Sequence, residues 1–220
     1  MGRTLAIHWA ATTHGTWLHG DPRGSWRDGR LIGPDPFLEA ESRARMSQDV
    51  VLLDAAERLL IADAFGEVVR EQGHRVFAAT VRTTHVHLVL APPKEHIDTV
   101  IARFKRRSAG VVLAHRRGLA ANHDNPAGTV SHPAGTAGLY SRAILARRHA
   151  VPQHLWTAGK FPVVIFNELH LANAIEYVRD HNRRLGLPPD PYFWIEALYP
   201  AGEYAGERAE RSGLCETLPF

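Results

Sequence analysis

Apolar and polar residues alternate in several distinct periods along the chain, and the periods predict its elements. Residues 5–12 (LAIHWAAT) read as a short half-buried strand. Residues 13–36 follow, dense in Gly, Pro and Asp and too long for a simple hairpin connection, and predict a functional or insertion loop reaching to about residue 47. Over residues 48–72 the period changes. Val51, Leu52, Ala55, Leu59, Ala62, Phe65 and Val69 recur at helical spacing, and Gly73 is placed to end that helix. Residues 74–81 (HRVFAATV) and 85–91 (HVHLVLA) read as two strands joined by Arg82, Thr83 and Thr84, a link short enough for an antiparallel pair.

Residues 95–117 predict a second amphipathic helix, with Ile97, Val100, Ile101 and Phe104 on its apolar side. Residues 118–154 are rich in Gly, Pro, Ala and His and predict a second insertion. A short apolar strand over 160–166 comes next. Asn167 then suits a helix N-cap, with Glu168 in the first turn, and that helix runs to about Leu185 before Gly186 and Pro188. The first six elements are in βαββαβ order, so the expected class is α+β. The expected fold is a ferredoxin-like antiparallel sheet with an additional C-terminal helix that carries a tyrosine. Residues 1–190 are expected to form one domain and 191–220 a tail.

Composition narrows the picture without deciding it. The 220 residues are 45% hydrophobic and 22% charged, enough for a sizeable core and unlike a disordered chain. One cysteine, Cys215, excludes an internal disulfide framework and a cysteine-based zinc site. The N-terminus lacks a signal-peptide pattern, and no apolar run approaches the length of a membrane span. A cytoplasmic protein without a membrane partner is therefore expected. The net charge of +3 is compatible with a nucleic-acid partner, and 14 histidines supply candidate metal ligands.

The sharpest local signal is Thr84-His85-Val86-His87-Leu88-Val89-Leu90. Strand side chains alternate, so His85 and His87 share one face while Val86, Leu88 and Leu90 take the other. Two imidazoles so spaced can share a metal ion, and they can equally be a hydrogen-bonded strand pair. A histidine-triad hydrolase would need a third histidine at 89, where Val89 stands. A two-histidine phosphodiesterase would need His-x-Thr repeats, which are missing here. On the last helix Leu171, Ala174, Ile175, Val178 and Leu185 form an apolar face, and His170, Tyr177 and His181 a stripe along its flank. Tyr177 and His181 are four residues apart and so are neighbours. Tyr177 is either a boundary tyrosine or, beside a divalent cation, a nucleophile toward a phosphodiester.

Taken in order, these segments resemble the single-tyrosine HUH transposases, among them the REP-associated tyrosine transposases and related insertion-sequence enzymes. The resemblance rests on His85-Val86-His87 after a helix-plus-strand block and on the basic helix with Phe104-Lys105-Arg106-Arg107. It rests also on Leu155-Trp156-Thr157-Ala158-Gly159 before Ala174-Ile175-Glu176-Tyr177-Val178, and on the loop Thr16 to Gly24. It spans roughly residues 5–186.

The resemblance implies metal-dependent nicking and rejoining of single-stranded DNA in transposition, through a 5′-phosphotyrosine on Tyr177. It implies Mg2+ or Mn2+ held by His85, His87 and a third ligand. The family usually has Gln or Asn one turn after the tyrosine; here His181 occupies that place, with Asn182 next to it. Arg82-Thr83-Thr84 departs from the Pro-Asn often found before the histidines. Single-stranded or hairpin DNA is the expected partner and a homodimer a possible assembly. A domesticated, non-catalytic binder of hairpin DNA is the alternative reading. Arg103, Lys105, Arg106 and Arg107, with Arg183 and Arg184, are the expected phosphate contacts. Arg116 and Arg117 continue the first of these groups, Arg179 belongs with Arg183 and Arg184, and Arg142, Arg147 and Arg148 form a further group. Trp17, Trp26 and Trp156 are candidates for stacking on unpaired bases.

Overall fold

The structure is a computed structural model and describes residues 3–27, 30–123, 151–159, 161–196 and 198. In chain order the elements are β1 (Ala6–Thr12), β2 (Ser25–Arg27), β3 (Arg30–Ile32), α1 (Pro36–Ala44), α2 (Ala55–Gln72) and β4 (Val76–Val81). They continue with β5 (His85–Leu90), α3 (Ile97–His123), β6 (Phe161–Ile165) and α4 (Glu168–Arg183). Strands β4, β5, β1 and β6 form one antiparallel sheet in that spatial order. Setting aside β2, β3 and α1, the order is βαββαβ with the ferredoxin-like strand arrangement, as expected. No described helix is long and apolar enough to cross a membrane.

Both faces of the sheet are covered. Ile7 and Trp9 of β1 and Val86, Leu88 and Leu90 of β5 pack with Phe65 of α2 and Phe104 of α3. On the opposite face Phe77, Val89 and Ile165 pack with Leu171, Ala174, Ile175 and Val178 of α4. The strand alternation thus sends one set of side chains toward α2 and α3, and the other, including His85 and His87, toward α4.

Two element boundaries differ from the periodicity. Helix α2 starts at Ala55, seven residues after the expected 48. The Val51 and Leu53 N–H groups donate to the His14 and Thr83 carbonyls, which holds that stretch extended with Val51 and Leu53 buried and Leu52 exposed. Asp54 then caps the helix in a reciprocal capping box with Glu57. Helix α3 runs on to His123 instead of stopping near 117. Residues 124–150 of the second expected insertion lie outside the described residues. The first expected insertion is not an open loop. It holds the β2–β3 ribbon and α1, and the backbone at Asp35 and Glu39 comes so close to Gly20 (φ +88°) that a Cβ there would collide with the Asp35 carbonyl oxygen. Beyond residue 190, Ile195 bridges in parallel to Val76 and Trp194 packs on Gly66, so the folded chain extends past the expected boundary.

Glu57 is buried at 1% exposure with Arg116 at 3%, and Arg116 donates to both Glu57 oxygens and to the Leu52 carbonyl. Arg116 therefore ties α3 to the start of α2 and is not a surface contact. Glu57→Ala, which strands a buried guanidinium, is expected to cost about 3–5 kcal/mol in urea unfolding, and pairing it with Arg116→Met to recover most of that. Equal stability of the single variant and the wild type would contradict this role.

Candidate active site

The β1–β5 register sets Thr12 opposite His85, Ala10 opposite His87 and His8 opposite Val89. On the other side Thr80 of β4 lies opposite His87. His85, His87 and His8 therefore project from the same face, and α4 crosses it. Its apolar residues anchor it there, and the next positions around the helix bring Tyr177 and His181 over the strand histidines. The Tyr177 and His181 rings are 4.6 Å apart, and Tyr177 stands edge-on to His87 at 5.5 Å. His181 lies 5.1 Å from His87 and 5.5 Å from His85, and the two strand imidazoles are 5.0 Å apart. One ring nitrogen from each of His85, His87 and His181 can be chosen so that all three lie within 4.8 Å of one another.

The hydrogen bonds define which nitrogens are engaged. The Thr84 hydroxyl is 2.9 Å from His85 Nδ1, and His8 Nε2 is 3.1 Å from His87 Nδ1. With Nδ1 so engaged in each, Nε2 is the atom that either strand histidine would offer to a metal ion. Both ring nitrogens of His181 are buried without a hydrogen-bond partner. A buried polar group without a partner costs about 1–3 kcal/mol, which a bound cation would relieve. Burial is also the first cause that lowers the basicity of these groups. His85 is pushed down to about 3, with the charges of His181, Arg82 and Arg23 adding to it. His181 is pushed down to about 4, with Arg82 and Arg184 adding. His87 lies well below its usual range, helped by His8, His85 and His181. Neutral imidazoles present lone pairs, the form that binds a metal. The residues present therefore fit a divalent cation. An all-imidazole set suits Mn2+ at least as well as Mg2+, and suits Zn2+ in addition.

Asn182 is held by contacts of its own, and its Oδ1 is buried without a hydrogen-bond partner. Its amide donates to the Ala79 and Pro189 carbonyls, so it fastens α4 to β4 and to the turn after the helix. Three residues to which the sequence assigned no role at the site belong here: His8, Thr84 and Arg82. The Arg82 N–H donates to the His85 carbonyl and its guanidinium donates to the His181 carbonyl, linking the strand histidine to the helix histidine. Arg82 also interacts electrostatically with Tyr177. The signal for His8 was visible as a lone histidine within an apolar strand, but its neighbour was not.

The expected phosphate contacts separate into groups. Arg103 is paired with Glu95, Arg107 with Glu67 and Glu71, and Arg183 with Glu176 and Asp180. Lys105 donates to the Thr157 and Gly159 carbonyls. Arg179 is buried against Asp190. Arg106 and Arg184 are exposed, with no ion pair to a described residue. Helix α3 lies across the sheet from the His–Tyr cluster. Lys105 nevertheless reaches its end, because Thr157 bonds to Thr12 and Thr13, beside His85. Trp156 is buried with its indole N–H on Ser108 and Lys105, and Trp17 carries the Arg23 guanidinium on its ring at 4.3 Å. Arg142, Arg147 and Arg148 lie outside the described residues, as does the Trp26 side chain.

No protein-family model matches the chain, and no curated protein matches its sequence. Among solved structures, a REP-associated tyrosine transposase bound to a REP hairpin matches with a TM-score of 0.43 at 9% identity, over 84% of this chain and 72% of that one. A Deinococcus radiodurans protein assigned as a transposase matches with a TM-score of 0.37 at 15% identity, over 82% of this chain and 92% of that one. At identities and TM-scores this low, the chemistry of the site rests on its own residues.

Proposed function

We propose that this chain is a metal-dependent enzyme of the single-tyrosine HUH type that nicks and rejoins single-stranded DNA during transposition, with Tyr177 as nucleophile. The observation that carries the reading is the tyrosine ring set 4.6 Å from His181 and 5.5 Å from His87, beside three imidazoles that each offer a nitrogen within 4.8 Å of the others. A phenol on a helix edge has no evident need of such a cluster, and a structural metal site has no need of the phenol.

A divalent cation held by His85, His87 and His181 would polarise the scissile phosphate and offset its developing charge. The Tyr177 oxygen attacks phosphorus as its proton departs. The P–O3′ bond breaks, and the 3′ oxygen leaves as a hydroxyl after taking up a proton. The product is a 5′-phosphotyrosine, which keeps the phosphodiester bond energy and lets a 3′-hydroxyl attack in reverse to rejoin strands. Arg82, held between His85 and His181, supplies fixed positive charge next to the reacting groups. Arg106 and Arg184, exposed and without an ion pair to a described residue, are the first candidates for backbone phosphates, whereas Lys105 would have to leave the Thr157 and Gly159 carbonyls. Arg103, Arg107 and Arg183 would have to exchange their carboxylate partners for phosphate. The resemblance of the sequence to enzymes that act on folded single strands makes hairpin DNA the substrate class to test.

The test is a denaturing gel of the protein mixed with labelled single-stranded hairpins and Mn2+. A covalent protein–DNA band that disappears with EDTA is expected. Salt-sensitive DNA binding with no band across a varied set of hairpins would overturn the enzymatic reading and leave a non-catalytic binder.

A further inference from the structure

His8 is not part of the three-histidine set, yet its Nε2 lies 3.1 Å from Nδ1 of His87, with the rings 5.2 Å apart and tilted by 34°. The contact is almost sealed from solvent: His8 is 4% exposed and His87 2%. It follows from the register, because His8 stands two positions along β1 from Ala10, the partner of His87, on the same face. His8 also meets the Tyr177 ring edge-on at 6.2 Å.

We infer that His8 is a positioning residue that accepts the Nδ1 proton of His87, fixing His87 in the tautomer that carries its lone pair on Nε2, the form a metal ion requires; this rests on the metal-centre reading above. A hydrogen bond between two neutral imidazoles needs one donor and one acceptor. If His8 donates, His87 carries its proton on Nε2 and offers the site an N–H in place of a lone pair. If His8 accepts, the proton sits on Nδ1 and Nε2 is a ligand. Only the second arrangement serves the ion, and outer partners of this kind set both the tautomer and the ring orientation of a ligating histidine. The Thr84 hydroxyl stands in the same relation to His85, at Nδ1. The two strand imidazoles are thus oriented before an ion arrives, whereas His181 has neither nitrogen hydrogen-bonded and depends on α4 for its placement.

The experiment uses the full chain and Co2+ as probe, followed by its visible absorption. His8→Phe keeps an aromatic ring of similar size against Tyr177 but cannot accept a hydrogen bond. Its Co2+ dissociation constant is expected to rise about 10–100-fold, the usual cost of losing an outer partner. His8→Gln places an amide oxygen close to where Nε2 stood and is expected to restore most of the affinity. In the metal-free wild type, long-range 1H–15N NMR is expected to find the His87 proton on Nδ1, a readout that does not depend on any variant folding. Wild-type affinity in His8→Phe, no recovery in His8→Gln, or a His87 proton on Nε2 would each overturn the assignment. If the wild type itself takes up no Co2+, the metal centre fails, and this role for His8 with it.

Discussion

Tyr177→Phe will bind hairpin DNA as the wild type does and form no covalent product, a loss of several orders of magnitude in adduct yield on a denaturing gel. The substitution removes one oxygen and little else. The ring keeps its edge contact with His87 and its place over His181, and the apolar face that docks α4 on the sheet lies on other residues. Affinity for the backbone should hold, because the exposed cations Arg106 and Arg184 are untouched. Filter-binding or anisotropy measurements check the binding arm and the gel checks the chemistry. An adduct of wild-type yield in Tyr177→Phe would remove this residue from the mechanism and direct attention to another nucleophile.

His87→Ala is expected to abolish both metal uptake and metal-dependent cutting. The ligand is the most enclosed of the three and occupies the middle of the cluster, with His8, His85, His181 and Tyr177 all within ring contact. Loss of a ligand should weaken the ion by more than the 10–100-fold typical of an outer partner. A second readout separates this from misfolding. A saturating metal stabilises the form that binds it, by about 2.7 kcal/mol at a hundred times the dissociation constant. Wild-type protein should therefore melt at a higher temperature with Mn2+, while His87→Ala should melt cooperatively at a temperature indifferent to Mn2+. A variant that cuts normally, or keeps the metal-induced shift, would remove His87 from the ligand set.

The cations illustrate how far a one-dimensional reading reaches. Arg107 counts toward a basic stripe only until Glu67 and Glu71 of α2 are brought beside it, and Arg116 only until Glu57 meets it inside the core. These carboxylates lie 36–59 residues away in sequence. Charge counting has no access to such pairs, so it overstates the surface open to phosphate. The start of α2 shows the same limit. Val51 and Leu52 fit a helical period, but the N–H groups of Val51 and Leu53 found strand-like partners at His14 and Thr83, and the Asp54–Glu57 capping box marked the true start.

His85 and His87 on one strand face, and Tyr177 one turn before His181 on a helix edge, follow from the sequence by itself, because alternation and helical pitch are local properties of the backbone. The βαββαβ order follows likewise from the succession of periods. Tertiary structure alone decided that β1 lies against β5 in the register that puts His8 on His87. It decided too that Arg82 reaches across to the His181 carbonyl, and that His181 turns toward the strand histidines while Asn182 turns to β4. Each of these depends on which strands pair and how α4 lies across them. Those choices are made by burial of apolar surface shared among segments as far apart as residues 6 and 178, and no local pattern encodes it.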